Sequence, residues 1–224
     1  MFSAEHFIDL LVMGWLSNIP LAIGSIVSIS VFCERLLSFR GLEDSSRKMA
    51  GKAIDAIVRR DLEGAKRICA NSELPLAAAF HEALGWNNVA AEDLDRVLAT
   101  RRAELATGLK RGVWMIGTVG SLAPFVGLFG TVVGIIRAFG VMSESGDTGF
   151  QVVSANLSEA LIATAAGLGV AIVALCFFNY LQIRIGSLNA VYARASERLV
   201  QALIYVESNY VESRAKANLR EGAS

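Results

Sequence analysis

Residues 112–136 and 160–183 run without one charged side chain, and each is long enough to cross a bilayer. A spanning helix needs about 20 mainly apolar residues at about 1.5 Å of rise each. Residues 10–33, bounded by Asp9 and Glu34, form a third such run. Lipid offers the backbone no hydrogen-bond partner, so runs of this kind must be helical. The chain is therefore expected to be an all-α membrane protein with three transmembrane helices. Its 54% hydrophobic content and zero formal net charge average over apolar spans and charged segments.

The charges fix an expected orientation. Every Lys and Arg except Arg137 lies between Glu34 and Arg111 or after Ile183, and none precedes the first span. Basic loops stay on the cytoplasmic side. Residues 34–111 and 184–224 are thus assigned to the cytoplasm, and residues 1–9 and the 137–159 connection to the outer, periplasmic face. No basic stretch precedes the first apolar run and no small-residue cleavage site follows it, so this span is expected to stay in the mature protein. Residues 2–13 either lie in the outer interface or begin the span.

Other classes find little support. Cys33, Cys69 and Cys176 show no CxxC spacing and no histidine at ligand distance, so neither disulfides nor a metal site is expected, nor any cofactor. His6 and His81 are isolated and read as surface residues. Charges of mixed sign outside the spans argue for a solvated bundle rather than a nucleic-acid surface. Neither a phosphate loop nor a nucleophile–base pairing stands out, so an enzyme is not expected.

Between the first two spans, Met49, Ala53, Ile54, Ile57 and Val58 recur at helical spacing. Asp61 is placed to cap a short helix through Ala70, with a break over residues 71–75. A further helix is expected to start near Glu92 and Asp93 and pass through Leu98, Leu105 and Leu109 into the second span as one long rod, since no proline intervenes. The third span is likewise expected to extend inward through Leu188, Val191, Ala195, Leu199, Ala202, Leu203 and Val206, the two extensions pairing in a cytoplasmic helical bundle. The tail from Arg214 is expected to fray.

At about 3.6 residues per turn, Gly120, Pro124, Gly127, Thr131, Gly134 and Ala138 share one face of the second span, opposite Leu122, Phe125, Phe129, Val133 and Ile136. Ala160, Ala163, Thr164, Gly167, Ala171 and Ala174 share a face of the third. Small faces allow close helix packing, which is the plain reading of Gly120, Gly127, Gly134, Gly167 and Ala171. Thr131 and Thr164 lie toward the outer ends of antiparallel spans, at similar depth, where hydroxyls can line a polar path without a buried charge. Neither span carries a titratable group that moves protons, so one must come from elsewhere. Glu159, at the mouth of the third span, serves either that path or a capping arrangement with Asn156. Pro124 removes a backbone hydrogen bond and is read as a hinge, a pore mouth or tolerated geometry. Pro20 in the first span has no small face around it.

Leu122-Ala123-Pro124-Phe125-Val126-Gly127-Leu128-Phe129-Gly130-Thr131-Val132-Val133-Gly134-Ile135, followed by Ala138-Phe139, resembles the second span of the MotA/TolQ/ExbB family. Leu157-Ser158-Glu159-Ala160-Leu161-Ile162-Ala163-Thr164-Ala165-Ala166-Gly167-Leu168 resembles the third span of its TolQ/ExbB branch, and Glu34-Arg35-Leu36 is similar at the inner end of the first. The resemblance implies an inner-membrane proton-channel subunit, forming a pentamer around a dimer of a single-span ExbD/TolR-like partner. It places the family's pore threonines at Thr131 and Thr164 and its acidic residue at Glu159, with the titrating Asp in the partner. Proton motive force would then power TonB-dependent transport, Tol-Pal function or gliding. From the residues alone, a non-conducting scaffold that binds a partner's membrane helix is the alternative.

Overall fold

The computed structural model describes residues 15–86, 91–145 and 150–221. Among them the chain is all α: α1 Trp15–Phe39, α2 Leu42–Val58, α3 Leu62–Ala70, α4 Pro75–Gly85, α5 Ala91–Leu109, α6 Val113–Ser145 and α7 Phe150–Glu221. Three of these helices are long and apolar enough to cross a membrane, in α1, α6 and α7. The expectations for residues 1–9 and for an interfacial segment at 2–13 fall outside the described residues.

The chain divides into two units, residues 1–37 with 112–182, and residues 38–111 with 183–224. The first holds the apolar runs. Only 11%, 17% and 22% of the most apolar stretch of each span is buried within the chain, so lipid or other subunits must cover the rest. The bulky faces point outward, with Leu122, Phe125, Phe129 and Ile136 exposed on α6 and Leu161, Leu168 and Ile172 exposed on α7. Phe32 of α1 stacks on Phe177 of α7 at a centroid distance of 4.0 Å.

The second unit is a helical bundle in which each of α2 to α5 contacts the next. Its core takes Met49, Ala53, Ile54 and Ile57 from α2, Leu76, Phe80 and Leu84 from α4, and Leu98 from α5. Val58, expected on the same face, is instead exposed at the end of α2. Asp61 caps α3 as its spacing indicates, accepting the Gly64 N–H at 2.7 Å. On α7, Leu188, Val191, Ala195, Leu199 and Ala202 are buried. Arg102 of α5 donates to the Ala193 carbonyl at 3.5 Å, where the two extensions meet. Arg101 bridges Glu82 of α4 and Glu104 at 2.6 Å each, and both carboxylates hold its proton more firmly.

Three boundaries differ from expectation. The rod from Glu92 into the second span is interrupted, because α5 ends at Leu109 and Gly112 adopts φ +77, a left-handed conformation that stops an α-helix and suits glycine. The 137–159 connection is largely helical: α6 runs to Ser145 and α7 begins at Phe150. No proline lies in either stretch to break it. The tail is helical through Glu221 rather than frayed from Arg214, continuing a helix that already has dozens of residues of nucleus.

Cys69, on the inner face of α3, is buried, and desolvation pushes its thiol up to about 11. The neutral form therefore persists well above the usual thiol range. Maleimide should label Cys69 in the folded protein at pH 8 roughly 100-fold more slowly than in urea, since the thiolate is the nucleophile. Equal rates, read by mass spectrometry of the Cys69 peptide, would place the side chain in water.

Candidate functional site

The small faces of α6 and α7 meet each other. A Cβ added to Gly167 would stand 2.6 Å from the Ala123 carbonyl oxygen and 3.0 Å from the Gly127 Cα. One added to Gly127 would stand 3.0 Å from both the Ala163 carbonyl oxygen and the Thr164 Cα. The two backbones touch without side chains between them, the geometry that small residues permit in lipid. Ala123 and Ala171 are buried in this seam, together with Leu21 of α1. Gly120 lies against Leu175, and Gly134 is half-buried. Pro124, also half-buried, is accommodated inside α6, which continues as helix on both sides of it.

Both threonines use their protons within the chain. Thr164 Oγ1 donates across the seam to the Gly127 carbonyl at 2.8 Å. Thr131 Oγ1 donates to the Leu128 carbonyl of its own helix at 2.6 Å. Gly127 is also the i−4 acceptor for the Thr131 N–H in a regular helix, so the two residues share one carbonyl. Gly130 faces Ala163, since a Cβ added to it would stand 3.1 Å from the alanine Cβ. Thr131 and Thr164 each follow one of that pair, which puts them within about 3 Å of each other in depth. A hydroxyl that has donated still offers its lone pairs. The wall is thus chemically an acceptor, suited to a water or a neutral carboxyl group.

The capping arrangement weighed for Glu159 is not found. Asn156 and Glu159 lie inside α7, whose first turn is at Phe150, so neither can occupy its N-terminal cap. The Glu159 and Asn156 side chains are outside the described residues.

The first span contributes more than its sequence suggested. Ser17, Leu21, Gly24 and Ser28 recur on one face of α1, and Ser17 and Ser28 are buried. A Cβ on Gly130 would come within 2.7 Å of Ser17 Oγ, and one on Gly24 within 3.1 Å of Val119. Among the described residues, Ser28 Oγ has no hydrogen-bond partner. The signal was the seven- and four-residue spacing of small residues around Pro20. Among the described residues, no three metal-ligating side chains cluster.

A multi-pass α-helical membrane protein with a glycine-tight pair of uncharged spans and hydroxyls at one level is the class that this geometry defines. The chain belongs to the MotA/TolQ/ExbB proton channel family, whose model matches residues 70–193. It is 29% identical over 195 residues to the biopolymer transport protein ExbB of Pseudomonas putida, covering 81% of this chain and 57% of that protein. With ExbB of Salmonella typhimurium it shares 32% over 156 residues, 70% of this chain and 60% of the relative. The Tol-Pal system protein TolQ of Haemophilus influenzae is 42% identical over 84 residues, 38% of this chain and 37% of that one. The chain thus spans about 60% of the length of the curated ExbB relatives that it matches.

Proposed function

We propose that the chain is an inner-membrane proton-channel subunit of an ion-driven rotary motor. Five copies surround a dimer of a single-span ExbD/TolR-like partner, with the N-terminus periplasmic and the C-terminus cytoplasmic. The supporting observation is a pair of hydroxyls at one depth, in spans that lack any Asp, Glu, Lys, Arg or His between residues 113 and 136 or 160 and 183. An acceptor wall of this kind suits a protonated carboxyl group carried by another chain, and Glu159 stands in sequence at its outer mouth. The membrane potential supplies about 2.3 kcal/mol per charge per 100 mV, enough to bias such a step. The work leaves through the partner to an envelope process such as TonB-dependent transport, Tol-Pal function or gliding.

The alternative is the non-conducting scaffold: the small faces of α6 and α7 close on each other through Gly127 and Gly167, as packing alone would have them. Reconstitution decides between the two. The subunit copurified with a single-span ExbD/TolR-like partner should move protons into liposomes when a potential is imposed, and the subunit alone should not. A sealed complex with no flux above that of empty liposomes would leave the scaffold.

A further inference from the structure

In the bundle formed by the second unit, α2 and α7 leave a cleft of about 250 Å³ lined by Arg47, Arg194 and Arg198 above a floor that includes Ala50, Gly51 and Ala195. Arg47 is taken: it pairs with Glu43 at 2.7 Å, whose other oxygen accepts the Ser187 hydroxyl at 3.0 Å and whose pKa is lowered by Arg47 first. Arg194 and Arg198 are exposed, one turn apart, and in no ion pair among the described residues, though Glu197 lies between them in sequence. Like charges at this spacing weaken a helix slightly. The unit as a whole carries 19 Lys and Arg against 15 Asp and Glu, a net charge of +4.

Gly51 is the second observation. It sits within α2, where glycine is less favourable than alanine because it loses more backbone freedom on folding. Its backbone is not left-handed, and a Cβ there would meet nothing within 4 Å. Neither conformation nor packing inside the chain calls for glycine, and without a Cβ the position puts no side chain into the cleft. We propose that the cleft receives a short acidic segment of a partner protein, an apolar side chain resting by Gly51 and carboxylates against Arg194 and Arg198. Arginine forks suit carboxylates. A bare phosphate would make no use of the apolar floor. A lipid headgroup does not reach, because Arg194 and Arg198 lie about 15 and 21 Å along α7 beyond Arg184. In the chain's own acidic run Glu92-Asp93-Leu94-Asp95 the apolar member, Leu94, is buried in its own fold and offers a second copy no side chain for the floor.

The test uses the full-length protein in lipid nanodiscs and short fluorescent peptides alternating Glu and Leu, read by anisotropy. The acidic Leu peptide should bind at least ~10-fold more tightly than versions with Gln for Glu or Ala for Leu. Arg194→Gln with Arg198→Gln should weaken it by a similar factor, as should Gly51→Leu, while Gly51→Ala leaves the melting temperature no lower. The arginine pair is on the surface, so its variant tests the site even where Gly51→Leu fails to fold. Equal binding of the Gln peptide, undiminished binding to the arginine variant, or displacement by millimolar inorganic phosphate would overturn the proposal. A change in oligomer mass in the arginine variant would also overturn it, by giving the cleft to a second copy.

Discussion

Thr164→Val and Thr131→Val should each lower proton flux by about 10- to 100-fold while the complex keeps its mass. Valine nearly matches threonine in shape, so the seam still closes. At position 164 the lost hydrogen bond runs across the membrane interior, where such bonds average about 0.6 kcal/mol. The Gly127 carbonyl keeps its helical partner, the Thr131 N–H, and is not orphaned. Conduction loses more. A neutral carboxyl group or water passing this level would lose one of the two hydroxyl acceptors, and an unsatisfied buried polar group costs about 1–3 kcal/mol, or about 5- to 150-fold in rate. The measurement is dye-monitored flux in liposomes beside native mass spectrometry of the same preparation. Normal flux in both variants removes the threonines from the ion path. Loss of assembly instead makes them packing residues.

The second large effect is at Gly167. Gly167→Ala puts a methyl group 2.6 Å from the Ala123 carbonyl oxygen and 3.2 Å from the Gly127 nitrogen. These are backbone atoms, which cannot turn aside as a side chain would, so α6 and α7 must part. Overpacking of this kind costs about 1–3 kcal/mol, or a melting temperature lower by about 3–10 °C for a chain of this size. The Thr164–Gly127 hydrogen bond, 2.8 Å in the native seam, stretches with the separation. Gly169→Ala is the matched control, because a Cβ there meets nothing within 4 Å. Equal melting of the two variants would show that the seam yields more easily than its backbone contacts indicate.

Much of this arrangement is legible in the residues because lipid enforces simple rules. Uncharged length marks the spans, and threefold and fourfold spacing of small residues marks the faces that meet. Asp61 is equally plain, since a side-chain oxygen before a short amphipathic run has one obvious use. The interruption at Gly112 was harder to see. Proline ends a helix through its own chemistry, whereas Gly112 ends one only by adopting a left-handed backbone, and Gly108, close by, stays helical. Hydropathy marks where a helix enters lipid, at Ala160, and not where it begins, which for α7 is Phe150. The polar stretch 150–159 is helical all the same. On α1, the face made by Ser17, Gly24 and Ser28 has a single glycine where α6 has several, so it stands out less in the sequence.

The sparse burial of the spans bears on biogenesis. An outward Phe125 or Ile172 gains nothing by leaving acyl chains for another subunit, since lipid tails are as apolar as the side chains they solvate. A newly inserted copy is therefore comfortable alone in the bilayer, with no greasy surface to drive it toward its neighbours. Recruitment must draw on what lipid cannot satisfy: close backbone contact, a shared hydroxyl, or charges in water. If the chain works as the motor subunit proposed above, supply of the other chains, rather than hydrophobicity, sets when the assembly is completed.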